Sequence, residues 1–281
     1  MIKPGNNAAE SALPPAVVLH IAYTGYGVVR SLAGAGIPIV AFQKDASPPE
    51  AKSGLLDRLI TFAGDEELLE KLTALAQGCR EKPVLFITSD VYVEFFIRYR
   101  EVLEDLFRIH YPPTDVVSML LKKDEFLDYA FRRSLPLPLS FRIASRDDLE
   151  QNLGGMIFPA IVKPFTKTPA WLAAKLAKAY FVKGPAELIS LYRRIERIEP
   201  RLLVQEWVPG PDSHVEYCLT YFDHDSRCLA SFTGAKIRQW PVGTGSTAST
   251  RPVDNELIRV ITVALFSALG YRGFGSVEYK R

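Results

Sequence analysis

Ile157-Phe158-Pro159-Ala160-Ile161-Val162-Lys163-Pro164 is an apolar run closed by a single lysine, and Leu203-Val204-Gln205-Glu206-Trp207-Val208-Pro209-Gly210 is a second run that stops abruptly at Pro-Gly. Both have the length of strands rather than of buried helices. A lysine at the end of the first strand either projects into a cleft from rigid sheet or lays its stem along the sheet with its ammonium in water. The Pro-Gly stop of the second strand frees backbone N–H and C=O groups from ladder pairing, which suits the edge of a purine.

Towards the N-terminus, short apolar runs at 16–21, 37–42, 58–62 and 83–87 alternate with helical periods at 28–33, 66–77 and 92–107. Leu68, Leu69, Leu72, Leu75 and Ala76 mark one face of the second helix, and Phe95, Phe96, Tyr99, Val102, Leu103 and Leu106 the inward face of the third. This alternation predicts an α/β layer on a mostly parallel sheet. Pro112-Pro113 ends that unit, and residues 1–14, polar and followed by Pro15, read as a flexible leader.

The rhythm then changes. A helix near 124–133 precedes strands at 139–143, 157–163 and 179–182, a helix at 186–195 and a strand at 202–207. Strands at 215–222 and 228–233 flank Asp223-His224-Asp225-Ser226, whose turn formers predict a hairpin. Leu257, Ile258, Ile261, Ala264, Leu265, Ala268 and Leu269 follow a 3.6 period up to Gly270. A strand at 276–280 then runs off the end, with Phe274 and Val277 expected to face the core. Hairpins interleaved with helices predict an α+β unit.

Composition narrows the function classes. The 281 residues are 48% hydrophobic and 23% charged, enough for globular cores. A net charge of +2 argues against binding nucleic acid through bulk charge. No run approaches the ~20 apolar residues of a membrane span, and no apolar segment of a secretory signal follows Met1. Cys79, Cys218 and Cys228 form neither a disulfide framework nor a zinc pattern, so a reducing, cytoplasmic compartment is expected. His20, His110, His214 and His224 stand singly and read as structural or surface residues. Gly25-Tyr26-Gly27 reads mainly as a tight strand–helix turn, because the third glycine of a dinucleotide loop is replaced by Arg30. No P-loop pattern is present.

The remaining chemistry lies in charged residues. Lys123 opens the helix beginning Asp124-Glu125-Phe126. In Lys236-Ile237-Arg238-Gln239, a period of two places Lys236 and Arg238 on one face of an extended segment, a clamp for phosphate or carboxylate oxygens, unless the strand is simply a solvated basic one. Glu278, between Val277 and Tyr279, is a carboxylate that suits a hard metal such as Mg²⁺.

In this order, the segments resemble the ATP-grasp superfamily from about Ala16 onward: a lysine before a helix, Phe-Pro-x-x-x-Lys-Pro, Gln-Glu-aromatic-aliphatic-Pro-Gly, Lys-x-Arg-Gln and the acidic run Val-Glu-Tyr-Lys. The resemblance implies a Rossmann-like α/β pre-grasp domain over 15–113. An α+β ATP-grasp module would follow, with its small lobe and linking helix over 114–204 and a large lobe over 205–281 that is incomplete at its C-terminus. It also implies an ADP-forming ligase that activates a carboxylate as an acyl phosphate for attack by an amine. The alternatives are phosphorylation of bicarbonate or carbamate as in carbamoyl-phosphate synthases, a non-catalytic ATP-binding module and, more remotely, a dinucleotide-dependent oxidoreductase.

Carried over residue by residue, Lys123, Lys163 and Lys178 would contact ATP phosphates. Gln205, Glu206, Trp207 and Val208 would form the adenine segment, with Glu206 and Val208 acting through backbone atoms, and Asp212 would take the ribose. Lys236 and Arg238 would neutralise the transferred phosphoryl group, and Glu278 would hold Mg²⁺. Two departures stand out. The loop Thr166-Lys167-Thr168-Pro169-Ala170-Trp171 lacks the glycines of the family's phosphate-covering lid, and the second metal segment, Glu-x-Asn, would lie beyond Arg281. The partners implied are small-molecule carboxylates and amines, not nucleic acid or membrane, with a homodimer as the assembly to test for.

Overall fold

The computed structural model describes residues 13–166, 168–240, 242 and 245–281; the leader expected over 1–14 lies outside them except for Leu13 and Pro14. The chain divides into two compact units, Met1–His110 and Tyr111–Arg281.

The first unit runs β1 (Ala16–Leu19), α1 (Tyr23–Ala33), β2 (Ile39–Gln43), β3 (Arg58–Thr61), α2 (Asp65–Gln77), β4 (Val84–Ile87), α3 (Asp90–Arg98) and α4 (Arg100–Leu106). Its sheet has the order β3-β2-β1-β4 with every pair parallel, as the strand–helix alternation predicts. β1 and β2 are buried at every position, which is why they read as continuous apolar runs without alternation. Val18, Ile21, Val29, Ile39 and Ala41 form a core between sheet and α1. Gly25 lies inside α1 rather than in a loop. A Cβ there would come within 2.0 Å of the His20 carbonyl oxygen and 2.9 Å of Thr88 Oγ1, so glycine serves close helix–strand approach. The helix expected over 92–107 is two helices, broken at Tyr99, whose ψ of 22° departs from the helical value.

The second unit begins with α5 (Thr114–Leu121) and α6 (Lys123–Arg132), followed by β5 (Ser140–Ile143), α7 (Arg146–Asn152), β6 (Ala160–Pro164), α8 (Pro169–Ala173), β7 (Tyr180–Val182), α9 (Pro185–Ile195) and β8 (Leu202–Glu206). These strands form an antiparallel sheet of order β5-β8-β6-β7. Alternation sorts its faces. Ile143, Ala160, Val162, Leu202 and Val204 join Leu149, Trp171, Leu188, Leu191, Tyr192 and Ile195 in one core, leaving Ser140, Ile161, Lys163, Leu203 and Gln205 on the opposite face. Because β8 ends at Glu206, the lobe boundary expected at 204 falls inside this strand.

The chain continues with β9 (Val215–Phe222), β10 (Cys228–Trp240), β11 (Ser246–Pro252), α10 (Glu256–Ala268) and β12 (Gly273–Lys280). The second antiparallel sheet has the order β11-β10-β9-β12. The hairpin expected at 223–226 is present, with Asp223 Oδ1 accepting the N–H groups of Asp225 and Arg227 at 2.9 and 2.8 Å. Asn255 caps α10 by accepting the Ile258 N–H. Val116, Phe222, Phe266, Tyr271 and Val277 pack together beneath this sheet. The last strand is longer than expected: it starts at Gly273 and pairs with β9 over its eight residues. Phe274 and Val277 do not share a face, since they are three residues apart in a strand; Phe274 is exposed and stacks near Tyr221.

Candidate functional site

The face of the β5-β8-β6-β7 sheet turned away from its core carries the charge. Lys163, next to last in β6, is half-buried, and its Nζ donates to Gln205 Oε1 at 3.3 Å. Burial, with the positive charges of Lys123 and Lys178 nearby, holds its ammonium below the ordinary lysine pKa. Among the described residues Lys163 makes no ion pair. Lys123, at the start of α6, reaches the same strand end, its Nζ donating to the Pro164 carbonyl at 3.2 Å. Lys178 is exposed just ahead of β7. Three lysines thus gather around one strand end, an arrangement that favours an anion.

The adjacent strand end offers a hydrogen-bonding edge. The Glu206 N–H donates to the Leu139 carbonyl at 2.8 Å and the Trp207 N–H to the Pro159 carbonyl at 2.9 Å. Val208 is therefore the first residue past β8 whose N–H has no hydrogen-bond partner among the described residues. The half-buried Trp207 indole meets Phe181 edge-on at 5.3 Å, and Lys280 Nζ from β12 lies 4.4 Å from its ring centre. Burial lowers the Lys280 pKa, and Asp212 opposes that shift.

On the second antiparallel sheet Lys236 is 3% exposed. Its Nζ donates to Glu278 Oε2 at 2.8 Å and to Gln239 Oε1 at 3.3 Å. Arg238 does not share this face, contrary to the period-two expectation. The β10–β11 register jumps between Lys236 and Arg238; this bulge offsets the alternation by one residue, so Ile237 and Arg238 are both exposed and Gln239 returns beside Lys236. Asp212 accepts the Gln239 N–H on Oδ2 and its Nε2 on Oδ1, each at 2.9 Å. A ribose hydroxyl at Asp212 would share oxygens already engaged.

Glu278 is a single carboxylate, 55% exposed and paired with Lys236. Among the described residues, no group of three His, Cys, Asp or Glu could hold a metal ion. A magnesium ion at Glu278 would owe most of its shell to phosphate and water oxygens, the usual state of nucleotide-bound magnesium.

Sequence reasoning missed Ser140, Phe181 and Lys280. Lys280 carried a signal, since it stands two residues from Glu278 and so on the same strand face. Ser140 and Phe181 became visible only through pairing across the sheet.

No family model matches the chain. It is 23% identical over 273 residues to D-aspartate ligase of Enterococcus faecium (strain Aus0004), covering 91% of this chain and 64% of that protein. It is 25% identical over 185 residues to D-alanine–D-alanine ligase of Stutzerimonas stutzeri (strain A1501), covering 60% of this chain and 54% of that protein. Among solved structures, the biotin carboxylase domain of Hydrogenobacter thermophilus 2-oxoglutarate carboxylase, in complex with MgADP, ADP and bicarbonate, superimposes with a TM-score of 0.70 at 14% identity, over 94% of this chain and 60% of that one. The chain has the ATP-grasp fold. It spans less than two thirds of the length of both ligases. Among the described residues no helix is long and apolar enough to cross a membrane.

Proposed function

We propose that this chain is the ATP-binding part of an ADP-forming carboxylate–amine ligase, acting in the cytoplasm on small molecules, amino acids among them. The observation that carries this reading is the half-buried Lys163, crowded by the positive charges of Lys123 and Lys178 and with no ion pair of its own among the described residues. Such a cluster is costly in the free protein and favourable once phosphate oxygens arrive.

In this reading adenine lies against Trp207 and accepts a hydrogen bond from the free Val208 N–H. The phosphate chain runs towards Lys163, Lys123 and Lys178. The bond from the γ-phosphorus to its bridging oxygen breaks as a substrate carboxylate oxygen attacks, giving ADP and an acyl phosphate. An amine then attacks the acyl carbon, inorganic phosphate leaves and the amine proton passes to solvent. Lys236 neutralises charge on the transferred group, and Arg238 reaches it only from the opposite side of the bulge. Glu278 would be the protein ligand for magnesium, which would supply charge neutralisation when bound with the nucleotide. Positioning and electrostatics supply the rate, which is why no Ser or Cys nucleophile is required. The D-aspartate and D-alanine–D-alanine ligases among the relatives support amino-acid ligation as the reaction class.

Titration calorimetry with ADP tests the reading. Lys163→Met should weaken ADP binding by about 1.5–3 kcal/mol, the worth of a hydrogen bond to a charged group. Equal affinities in the two proteins would remove Lys163 from the nucleotide site.

A further inference from the structure

Gln205 sits on the central strand β8, opposite Ser140 of β5 and diagonal to Lys163 of β6. A glutamine amide fits its density of contacts either way round, and its neighbours decide which end faces the lysine. Ser140 Oγ donates its one proton to the Pro138 carbonyl at 2.7 Å. What remains to it is acceptor capacity, which takes Gln205 Nε2 at 3.0 Å. The amide must then turn Oε1 towards Lys163 Nζ. The reverse orientation would set an NH₂ group against an ammonium and a carbonyl oxygen against the lone pairs of Ser140. The anchor is itself stiff: Pro138 follows Pro136 by two residues, and proline fixes its own φ.

We propose that Ser140 is a positioning residue which, through the amide orientation of Gln205, fixes where Lys163 holds its ammonium group. The inference rests on the reading of Lys163 as a phosphate-binding lysine. Among the described residues, the charged groups acting on Lys163 are Lys123 from α6 and Lys178 ahead of β7, both positive, and β8 contributes the neutral Gln205. Arg142, on the same sheet face, is engaged by Asp128 and the Asp124 carbonyl. Gln205 Oε1 thus stabilises the charged form against two like charges, and Ser140 keeps that oxygen in place.

The test uses the full chain and two readouts. The pH profile of Lys163 acetylation by acetic anhydride, followed by peptide mass spectrometry without nucleotide, reports the ammonium directly; ADP titration calorimetry reports its use. Ser140→Ala should lower the pH midpoint of acetylation by about half a unit or more and weaken ADP binding roughly threefold to tenfold, with the loss growing as pH rises. Ser140→Thr, which keeps the hydroxyl, should restore both. Ser140→Val has the shape of threonine without the hydroxyl, so the Thr/Val pair carries the comparison if the alanine variant does not fold. In a Gln205→Glu background, where either oxygen accepts from the lysine, Ser140→Ala should leave the midpoint unmoved. An unchanged midpoint in both Ser140→Ala and Ser140→Val, or Thr behaving like Val, overturns the proposal. Absence of ADP binding in every protein would instead refute the nucleotide reading, while the acetylation profile still judges the relay.

Discussion

Replacing Lys163 by methionine should make the free protein more stable while weakening its hold on nucleotide. Burial and two neighbouring ammonium groups depress the Lys163 pKa below 10.5, the value of a free lysine. The folded protein therefore binds fewer protons than the unfolded chain between the depressed value and 10.5, so stability rises with pH across that window. Below the window the whole cost of the strained charge is present. Methionine fills a similar volume without charge, and exchanges of buried charges for apolar groups stabilise by about 1–4 kcal/mol. Gln205 Oε1, losing its donor, takes back about 1 kcal/mol. The difference spans about 0–3 kcal/mol, and its midpoint of about 1.5 kcal/mol raises the melting temperature by roughly 3–6 °C in a unit of this size. Thermal melts of wild type and Lys163→Met, without nucleotide, at neutral and alkaline pH, measure this. The variant should melt higher at pH 7, and the gap should close as pH approaches 10.5. A variant that melts lower at pH 7, or a gap indifferent to pH, would falsify the electrostatic account.

Three further outcomes follow from other parts of the molecule. Trp171 is 1% exposed in the core of the first antiparallel sheet, so Trp171→Ala should cost about 3–5 kcal/mol in urea unfolding; a loss under 1 kcal/mol would mean that α8 is not pinned by this side chain. Gly25→Ala should cost about 2–4 kcal/mol, because the new methyl meets the His20 carbonyl oxygen, and a melt unchanged from wild type would contradict the close approach. Arg238→Ala, at an exposed position beyond the bulge, should leave stability within about 0.5 kcal/mol and ADP affinity within about twofold, since ADP lacks the transferred group that Arg238 would meet; a tenfold loss of ADP affinity would place it on the bound nucleotide.

The parallel sheet was legible because strands such as β1 and β2, buried on both faces, leave unbroken apolar runs, and α2 and α10 were legible because they carry full helical periods. The short elements were not. α7 and α8 span seven and five residues, about two turns or fewer, too little for a period to show. β11, Ser-Thr-Ala-Ser-Thr-Arg-Pro, is exposed throughout and has no apolar alternation to betray it. The bulge in β10 leaves no trace in Lys236-Ile237-Arg238-Gln239, since it depends on the partner strand. At the candidate site, Lys163 and the Pro-Gly stop stood out as local patterns. Ser140 acquires meaning only when β5 is laid beside β8, a pairing of residues 65 positions apart.

The three tryptophans of the chain occupy three different surroundings. Trp171 is sealed in a core, Trp240 is 76% exposed, and Trp207 lies half-buried with a cation over its ring. Only the third stands on the face where a purine would arrive. A base stacking there must push Lys280 aside or share the indole with it, and either event alters the polarity and the quenching that this ring experiences, while the other two indoles keep their environments. With Trp171 and Trp240 changed to phenylalanine, the remaining intrinsic emission becomes a label-free optical gauge of occupancy, built from the same contact that now parks a lysine on the ring.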